Sequence, residues 1–254
     1  MNIFSPTKTE FLCFLLILFR VSGIFVAAPI LSSRNIPPKA KIGLAFFTSL
    51  ILFPFIKAPG IPENLMEYVP LIGKELFVGL TIGYIATLIF IGILVATKII
   101  DFQMGFGIAN VIDPVTNIQV SIVGEFHYIL ALMFFLVING HHLLFSALAQ
   151  SFNVVPLATF EISAHLIANI NQLFAEVFVI ALKIGAPTIG ALFMASLILG
   201  VIARTMPQIN VFIVGMPLKI GIGFAMLIVT MPFFFILLHR MIQKMPLNIL
   251  NAIR

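Results

Sequence analysis

The sequence KIIDFQMGFGIANVIDPVTNIQVSIVGEFH, residues 98–127, interrupts a chain that otherwise consists of long apolar runs. It carries the acidic residues Asp101, Asp113 and Glu125, several side-chain amides and closely spaced glycines. An irregular, glycine-interrupted backbone is tolerated at membrane depth only where protein buries it or where it lines a water-filled path. We therefore interpret residues 98–127 as a segment that closes or lines a conduit in a helical membrane assembly.

The composition of the 254-residue chain is that of an integral membrane protein. It is 61% hydrophobic and 9% charged, whereas a soluble domain carries about 25% charged residues. Uncharged apolar runs cover residues 76–97, 184–203 and 220–238, and each is close to the roughly 20 residues with which a helix crosses a bilayer. The net charge of +5 is not gathered into a basic face, so we do not expect binding to nucleic acid.

The apolar pattern predicts an all-α integral membrane protein with about six hydrophobic helical segments. A central plug-like loop at about residues 98–125 separates the third segment from the fourth. The second segment is short, and the last two form a long C-terminal helical hairpin. The predicted segments are residues 11–31, 42–56, 76–97, 126–150, 168–203 and 211–243.

The spacing of Gly79 and Gly83 is typical of a helix face that contacts another helix closely. The basic residues of the connections, in contrast, do not predict an orientation in the membrane. With the N-terminus outside, five of them lie in the inner connections and six in the outer ones, so the positive-inside rule is indecisive. We therefore expect the chain to depart from a conventional bundle of spanning helices.

Four stretches spread along the chain carry a family resemblance. Together, and in this order, they resemble the FliR-type component of the flagellar type III export gate, whose relatives in virulence secretion systems (the SctT branch) share its fold. The motifs GFGIA at 105–109 and INGHH at 138–142 favour the flagellar branch. The stretches are FRVSGIFVAAPILSSRNIPPKAKIGLA at 19–45, DFQMGFGIANVIDP at 101–114, FFLVINGHHLLFSALAQSF at 134–152 and ARTMPQINVFIVGMPLKIGIG at 203–223.

The resemblance implies a structural, non-enzymatic subunit of a protein-export channel, without a cofactor. Such subunits form a helical ring with FliP-type and FliQ-type partners in the bacterial inner membrane, at the flagellar basal body, and unfolded flagellar subunits pass through it. The single membrane domain, residues 1–254, then has a FliP-like part at 1–165 and a FliQ-like hairpin at 166–254. Neighbouring subunits hold much of such a gate above the membrane, which would explain the indecisive charge count.

The resemblance also implies that the loop after the third helix plugs the pore. Its apolar side chains and glycines suit a closure that retains ions yet yields to a polypeptide, since methionine in particular repacks readily. A buried loop at a subunit contact is the alternative. The predicted plug comprises Met104, Gly105, Phe106, Gly107, Ile108, Ala109 and Asn110, and its predicted anchor comprises Asp113, Pro114 and Asn117.

Several charged residues fall within apolar segments. Arg20 lies in the middle of the first one, where an unpaired charge costs ~3 kcal/mol or more. It is either a coupling residue of the export path or, as we prefer, part of an ion pair with a neighbouring subunit or of a helix that never faces lipid. Glu125, Glu176 and Lys183 are further candidates for buried charges or subunit contacts.

Two histidine groups raise other hypotheses. One hypothesis is a proton relay formed by Glu125 with His127, or by His141 with His142. Adjacent residues of a helix point about 100° apart, which is a poor arrangement for shared metal ligation, and further ligands are missing nearby. We therefore predict no metal site.

The turn RTMPQINVF between the two hairpin helices has two interpretations. Pro207 ends one helix, Asn210 can cap the next, and Arg204 complements a helix C-terminus. The resemblance adds contact with partner subunits or with the FlhB-type switch protein, made by Arg204, Pro207, Gln208 and Asn210.

A secondary transporter for a small solute is the alternative function. Its broken helix would bind substrate near the membrane midplane, but we find neither an internal repeat nor a convergent set of polar residues. An intramembrane enzyme would need a catalytic constellation that the sequence lacks. Flagellar genes beside the coding sequence would favour export, and purification without smaller partners would argue against a gate.

Overall fold

The computed structural model describes residues 8–56, 62, 64–106, 121–161, 164–208 and 210–254. Within these ranges all regular elements are helical, which confirms the prediction of an all-α protein. A 3₁₀ turn, Phe53–Phe55, follows the second helix. The α-helices are α1 (Lys8–Ala27), α2 (Pro38–Leu52), α3 (Leu65–Met104), α4 (Ile122–Val137), α5 (Gly140–Val154), α6 (Ala164–Thr205) and α7 (Val211–Ile253).

The number of apolar helices agrees with the prediction of about six segments. Five described segments are long and apolar enough to cross a membrane, and α4 with α5 would add a sixth if this pair counts as one span. The two helices are bent by 68° at Ile138 and Asn139. Asn139 has φ 58°, in the left-handed region that asparagine tolerates better than most residues, so the predicted single helix at 126–150 is two.

The start of α3 differs from the prediction. Residues 57–74 are predicted as a loop because they contain Pro70 and Gly73, but the helix begins at Leu65. Pro70 lies in the second turn, where its missing N–H removes one hydrogen bond near the helix start, and a helix of 40 residues tolerates that loss. Glu75 therefore projects from within the helix and not from its first residue.

The end of α3 also differs from the prediction. Residues 98–104 are predicted as part of an irregular segment, yet they form the last turns of this helix. Gly105 then stops it with φ +94°, a left-handed conformation that glycine adopts readily at a helix C-terminus. Ile122 begins α4, so irregular structure was wrongly predicted at both ends of the central stretch.

The chain divides into two compact units that are discontinuous in sequence. The first comprises Met1–Leu88, Asn139–Phe174 and Ile242–Arg254, and the second comprises Ile89–Ile138 and Ala175–Met241. The division of the chain into a FliP-like and a FliQ-like part rests on family resemblance and stays a prediction.

Small residues bring α1 and α3 together in the first unit. A Cβ at Gly23 would lie 2.7 Å from the carbonyl oxygen of Leu76, and one at Gly83 would lie 2.8 Å from the backbone nitrogen of Ala28. A Cβ at Gly79 would collide with the carbonyl group of Arg20. The predicted contact face of Gly79 and Gly83 is therefore confirmed.

The hairpin helices expose most of their apolar surface. Only 22% of the apolar window of α6 and 17% of that of α7 are buried within the chain, against 67% for α3. The third helix is thus a core element, whereas α6 and α7 present apolar faces that this chain does not cover.

Gly79→Ala should destabilise the protein by about 1–3 kcal/mol, because the added methyl group overpacks the contact of α1 with α3. The matched control is Gly73→Ala on the same helix, where a Cβ meets nothing within 4 Å and alanine should stabilise the helix by up to about 1 kcal/mol. Unfolding can be followed with a thiol-reactive dye, since the single cysteine, Cys13, is buried. Equal stability of the two variants would contradict the proposed packing.

Candidate functional site

Arg20 of α1 forms a buried ion pair with Glu75 of α3. The Arg20 Nε donates to Glu75 Oε2 at 2.5 Å, and both side chains are 0% exposed. The sequence suggested a partner in a neighbouring subunit or a position away from lipid. The structure gives Arg20 a partner in its own chain, and its contact with a neighbouring subunit stays a prediction.

Further partners surround this pair. The Arg20 Nη1 donates to Ser151 Oγ at 3.3 Å and to the carbonyl oxygen of Val155 at 3.0 Å. The Ala158 N–H donates to the other carboxylate oxygen, Glu75 Oε1, at 2.9 Å. The pair thus fastens the end of α5 and the turn that follows it to α1 and α3.

The Arg20 guanidinium has one aromatic neighbour and one unused donor. Its Cζ lies 4.3 Å from the centroid of the Phe152 ring, a distance at which a cation is attracted to the ring face. Its Nη2 is buried without a hydrogen-bond partner in the described chain. Removing one residue of such a buried ion pair leaves the other charge uncompensated and strongly destabilises the protein.

Sequence reasoning missed Glu75 because a loop was predicted before it. The signal was nonetheless present, since Glu75, Gly79 and Gly83 are each four residues apart and so share one helix face. The glycines bring the backbone of α1 close, and the carboxylate one turn earlier reaches its arginine.

Asp101, in the last turn of α3, joins the start of α4. The Ser121 hydroxyl donates to Asp101 Oδ2, and the Val123 N–H donates to Oδ1 at 3.3 Å. The Ser121 oxygen in turn accepts from the Gly124 N–H at 2.9 Å, the usual role of a helix N-cap. A carboxylate near a helix N-terminus is also favoured by the helix dipole.

The three described residues of the predicted plug pack against α7. Met104 is 0% exposed, and a Cβ at Gly223 would lie 2.6 Å from its sulfur. The ring of Phe106 contacts Phe224 edge-on with 6.4 Å between centroids, and a Cβ at Gly105 would lie 3.7 Å from the terminal methyl group of Met216. Met104 is therefore a core residue in this conformation. The other predicted plug and anchor residues lie outside the described ones: Gly107, Ile108, Ala109, Asn110, Asp113, Pro114 and Asn117.

The remaining charged candidates are less enclosed than Arg20. Glu125 and Lys183 are exposed on this chain, and Glu176 is half-buried. They are therefore not buried charges of the chain by itself, and their role as subunit contacts stays a prediction.

The turn of the hairpin is exposed. Arg204 lies in the last turn of α6, which ends two residues before Pro207. The Asn210 Oδ1 accepts from the Ile213 N–H at 3.4 Å, so its side chain caps α7. Gln208 is exposed and open to contact with another protein.

The histidines do not form a metal centre in the described part of the chain. The rings of His141 and His142 have centroids 4.3 Å apart, while His127 lies in the other unit. No group of three or more His, Cys, Asp or Glu side chains suited to a metal is found among the described residues.

Comparison with known proteins points to a single family. The profile of "Bacterial export proteins, family 1" matches residues 11–245. The flagellar biosynthetic protein FliR of Bacillus subtilis (strain 168) is 43% identical over 235 residues, which cover 90% of either chain. FliR of Escherichia coli (strain K12) is 28% identical over 85% of this chain and 82% of its own. The Yop proteins translocation protein T of Yersinia pestis is 30% identical over 86% and 85% respectively.

Glu75→Ala should destabilise the protein by about 3–5 kcal/mol, because it leaves Arg20 buried without its counter-ion. The double variant Arg20→Leu, Glu75→Leu should recover most of this loss, since an apolar pair leaves no unpaired charge. Denaturation of the purified protein, followed through the reactivity of Cys13, gives the comparison.

The control for this experiment is Glu67→Ala, at an exposed carboxylate in the first turn of the same helix. It should cost less than about 1 kcal/mol, the scale of a charge–dipole contact at a helix end. If Glu75→Ala were no more destabilising than Glu67→Ala, the ion pair would not hold the first unit together.

Proposed function

The chain belongs to the bacterial export proteins, family 1, and from this membership we propose that it is a structural, non-enzymatic subunit of a flagellar protein-export gate. The observation that carries the proposal is the extent of the family match, which runs through nearly the whole chain and includes its membrane-spanning candidates. The flagellar branch is favoured over the virulence branch by the higher identity to a FliR protein.

The gate that we propose is a helical ring in the bacterial inner membrane, at the base of the flagellum. In it the chain contacts FliP-type and FliQ-type subunits and the FlhB-type switch protein, and unfolded flagellar subunits pass through the ring. The apolar faces of α6 and α7, which the chain leaves uncovered, supply surface for such neighbours.

The position of Lys183 favours a protein neighbour over lipid as the contact of part of the α6 surface. It is exposed on α6 between the exposed apolar side chains of Val179 and Leu182 and that of Phe193. A charged side chain within a membrane-spanning segment is rare and normally faces protein or water. A contact with another subunit would accommodate this lysine, and residues 166–254 would then be the FliQ-like part beside a FliP-like part at 1–165.

In this proposal the central segment, residues 98–125, plugs the pore, with Met104 to Asn110 closing it and Asp113, Pro114 and Asn117 anchoring it. The residues at the end of α3, which precede the proposed plug, support this proposal. Gly105 ends α3 in a left-handed conformation, and Phe106 rests against Phe224 of α7. The segment thus starts from a fixed point at the end of a core helix.

Deleting residues 107–110 should make cells leaky to small ions and dyes. The deletion removes the last four residues of the proposed plug, while Met104 and Phe106 keep their contacts with α7. The measurement is dye entry into cells that lack their own copy and carry the variant. Gly73→Ala on α3 is the neutral control, since a Cβ there meets nothing within 4 Å.

Recovery of the deletion variant with its partners must accompany this assay. A gate that assembles and leaks no more than the control would contradict the plug and would leave export-gate membership untouched. Failure to co-purify any smaller partner with the unaltered chain would contradict the gate itself and favour a solute transporter.

Cross-linking from the hairpin turn should capture a gate partner. Gln208→Cys places a thiol in an exposed turn, and a Cys13→Ala background removes the native cysteine. In membranes a short thiol cross-linker should join this site to a FliP-, FliQ- or FlhB-type protein, identified by mass spectrometry. Adducts identical to those of the Cys13→Ala background would restrict the turn to its structural role.

A further inference from the structure

We propose that Asp101 is a positioning residue of this gate subunit. Its carboxylate fastens the last turn of α3 to the first turn of α4, and so it holds together the two helix ends between which residues 105–121 lie. This inference rests on the plug role proposed above, to which it adds the device that fixes the stem of the plug.

The donors that reach the Asp101 carboxylate come from the start of α4. Asp101 is 6% exposed, and a buried carboxylate needs hydrogen-bond donors to offset its lost hydration. In the described chain these are the Ser121 hydroxyl and the Val123 N–H, both at the start of α4. The side chain therefore bridges two helices and is not satisfied within its own.

The same two helices also approach each other closely one turn earlier in α3. A Cβ at Gly124 would lie 3.2 Å from Thr97 Oγ1, so α4 begins almost in contact with α3. The hydroxyl of Thr97 donates to the carbonyl oxygen of Ile93 at 2.8 Å, within its own helix. The small residue lets the helices approach, and the link from one to the other comes from Asp101.

Asp101 lies close to Met104, the first residue of the proposed plug, which is packed in the core. Met104 lies three residues later and fits against Gly223 of α7. It belongs to an apolar cluster with Ile100 and Val123. These apolar contacts do not involve the carboxylate. Removing the carboxylate should therefore weaken the link between α3 and α4 without unfolding the apolar core of the second unit.

The test compares leak and assembly in the full gate. Asp101→Ala and Ser121→Ala should each raise dye entry severalfold over the unaltered protein while the subunit still co-purifies with its partners. Ser121→Thr, which keeps the hydroxyl, should show the same dye entry as the unaltered protein. Ser196→Ala is the matched control, because the Ser196 hydroxyl donates within its own helix, to the carbonyl oxygen of Leu192.

A spectroscopic reading separates positioning from simple destabilisation. Nitroxide labels at Phe102→Cys and Ile122→Cys, both exposed on this chain, flank the link in a Cys13→Ala background. In the purified gate complex they should show dipolar broadening that Asp101→Ala removes and Ser196→Ala preserves.

Three outcomes would overturn the inference. Broadening that survives Asp101→Ala would show that the carboxylate does not hold the helix ends together. Lost broadening without leak, when deletion of residues 107–110 does leak, would leave the plug standing and remove Asp101 from it. Absence of leak in the deletion variant as well would refute the plug, and with it the role of Asp101 in fixing the stem of the plug.

Discussion

The buried pair of Arg20 and Glu75 is the interaction on which the first unit depends. A lone arginine in an apolar helix is costly in a membrane, so its position requires a counter-ion at hydrogen-bond distance. The glycines of α1 and α3 allow the two backbones to approach, and this approach lets the side chains meet at 2.5 Å. Once the pair is buried, its remaining hydrogen-bonding capacity determines where the end of α5 must lie.

Polar side chains in the second unit act at the points where helices end. Asp101 and Ser121 satisfy the start of α4, and Asn210 does the same at the start of α7. The first backbone N–H groups of a helix have no partner within it, and in an apolar environment each needs one. These three side chains are thus placed where the backbone needs hydrogen-bond partners, while the long helices α6 and α7 leave apolar surface for other proteins or for lipid.

The fold class and the number of apolar segments long enough to span a membrane could be predicted from the sequence, because apolar runs of spanning length have few alternatives. Helix ends were predicted less well. Pro70 looked like a loop residue, yet near the start of a long helix a proline removes only one hydrogen bond. Asp101 looked like part of an irregular segment, because its partners are 20 residues away and no local pattern reveals them. The resemblance to FliR-type proteins came from motifs spread over the chain, and the family match supports it.

The central claim is that this chain serves protein export by the flagellum. Its most direct test is secretion of flagellar proteins into the medium by cells whose own subunit has been deleted and replaced by this chain. The account predicts that the unaltered chain restores secretion and swimming. A chain that inserts into the membrane at normal levels, together with its partners, and restores neither would contradict it.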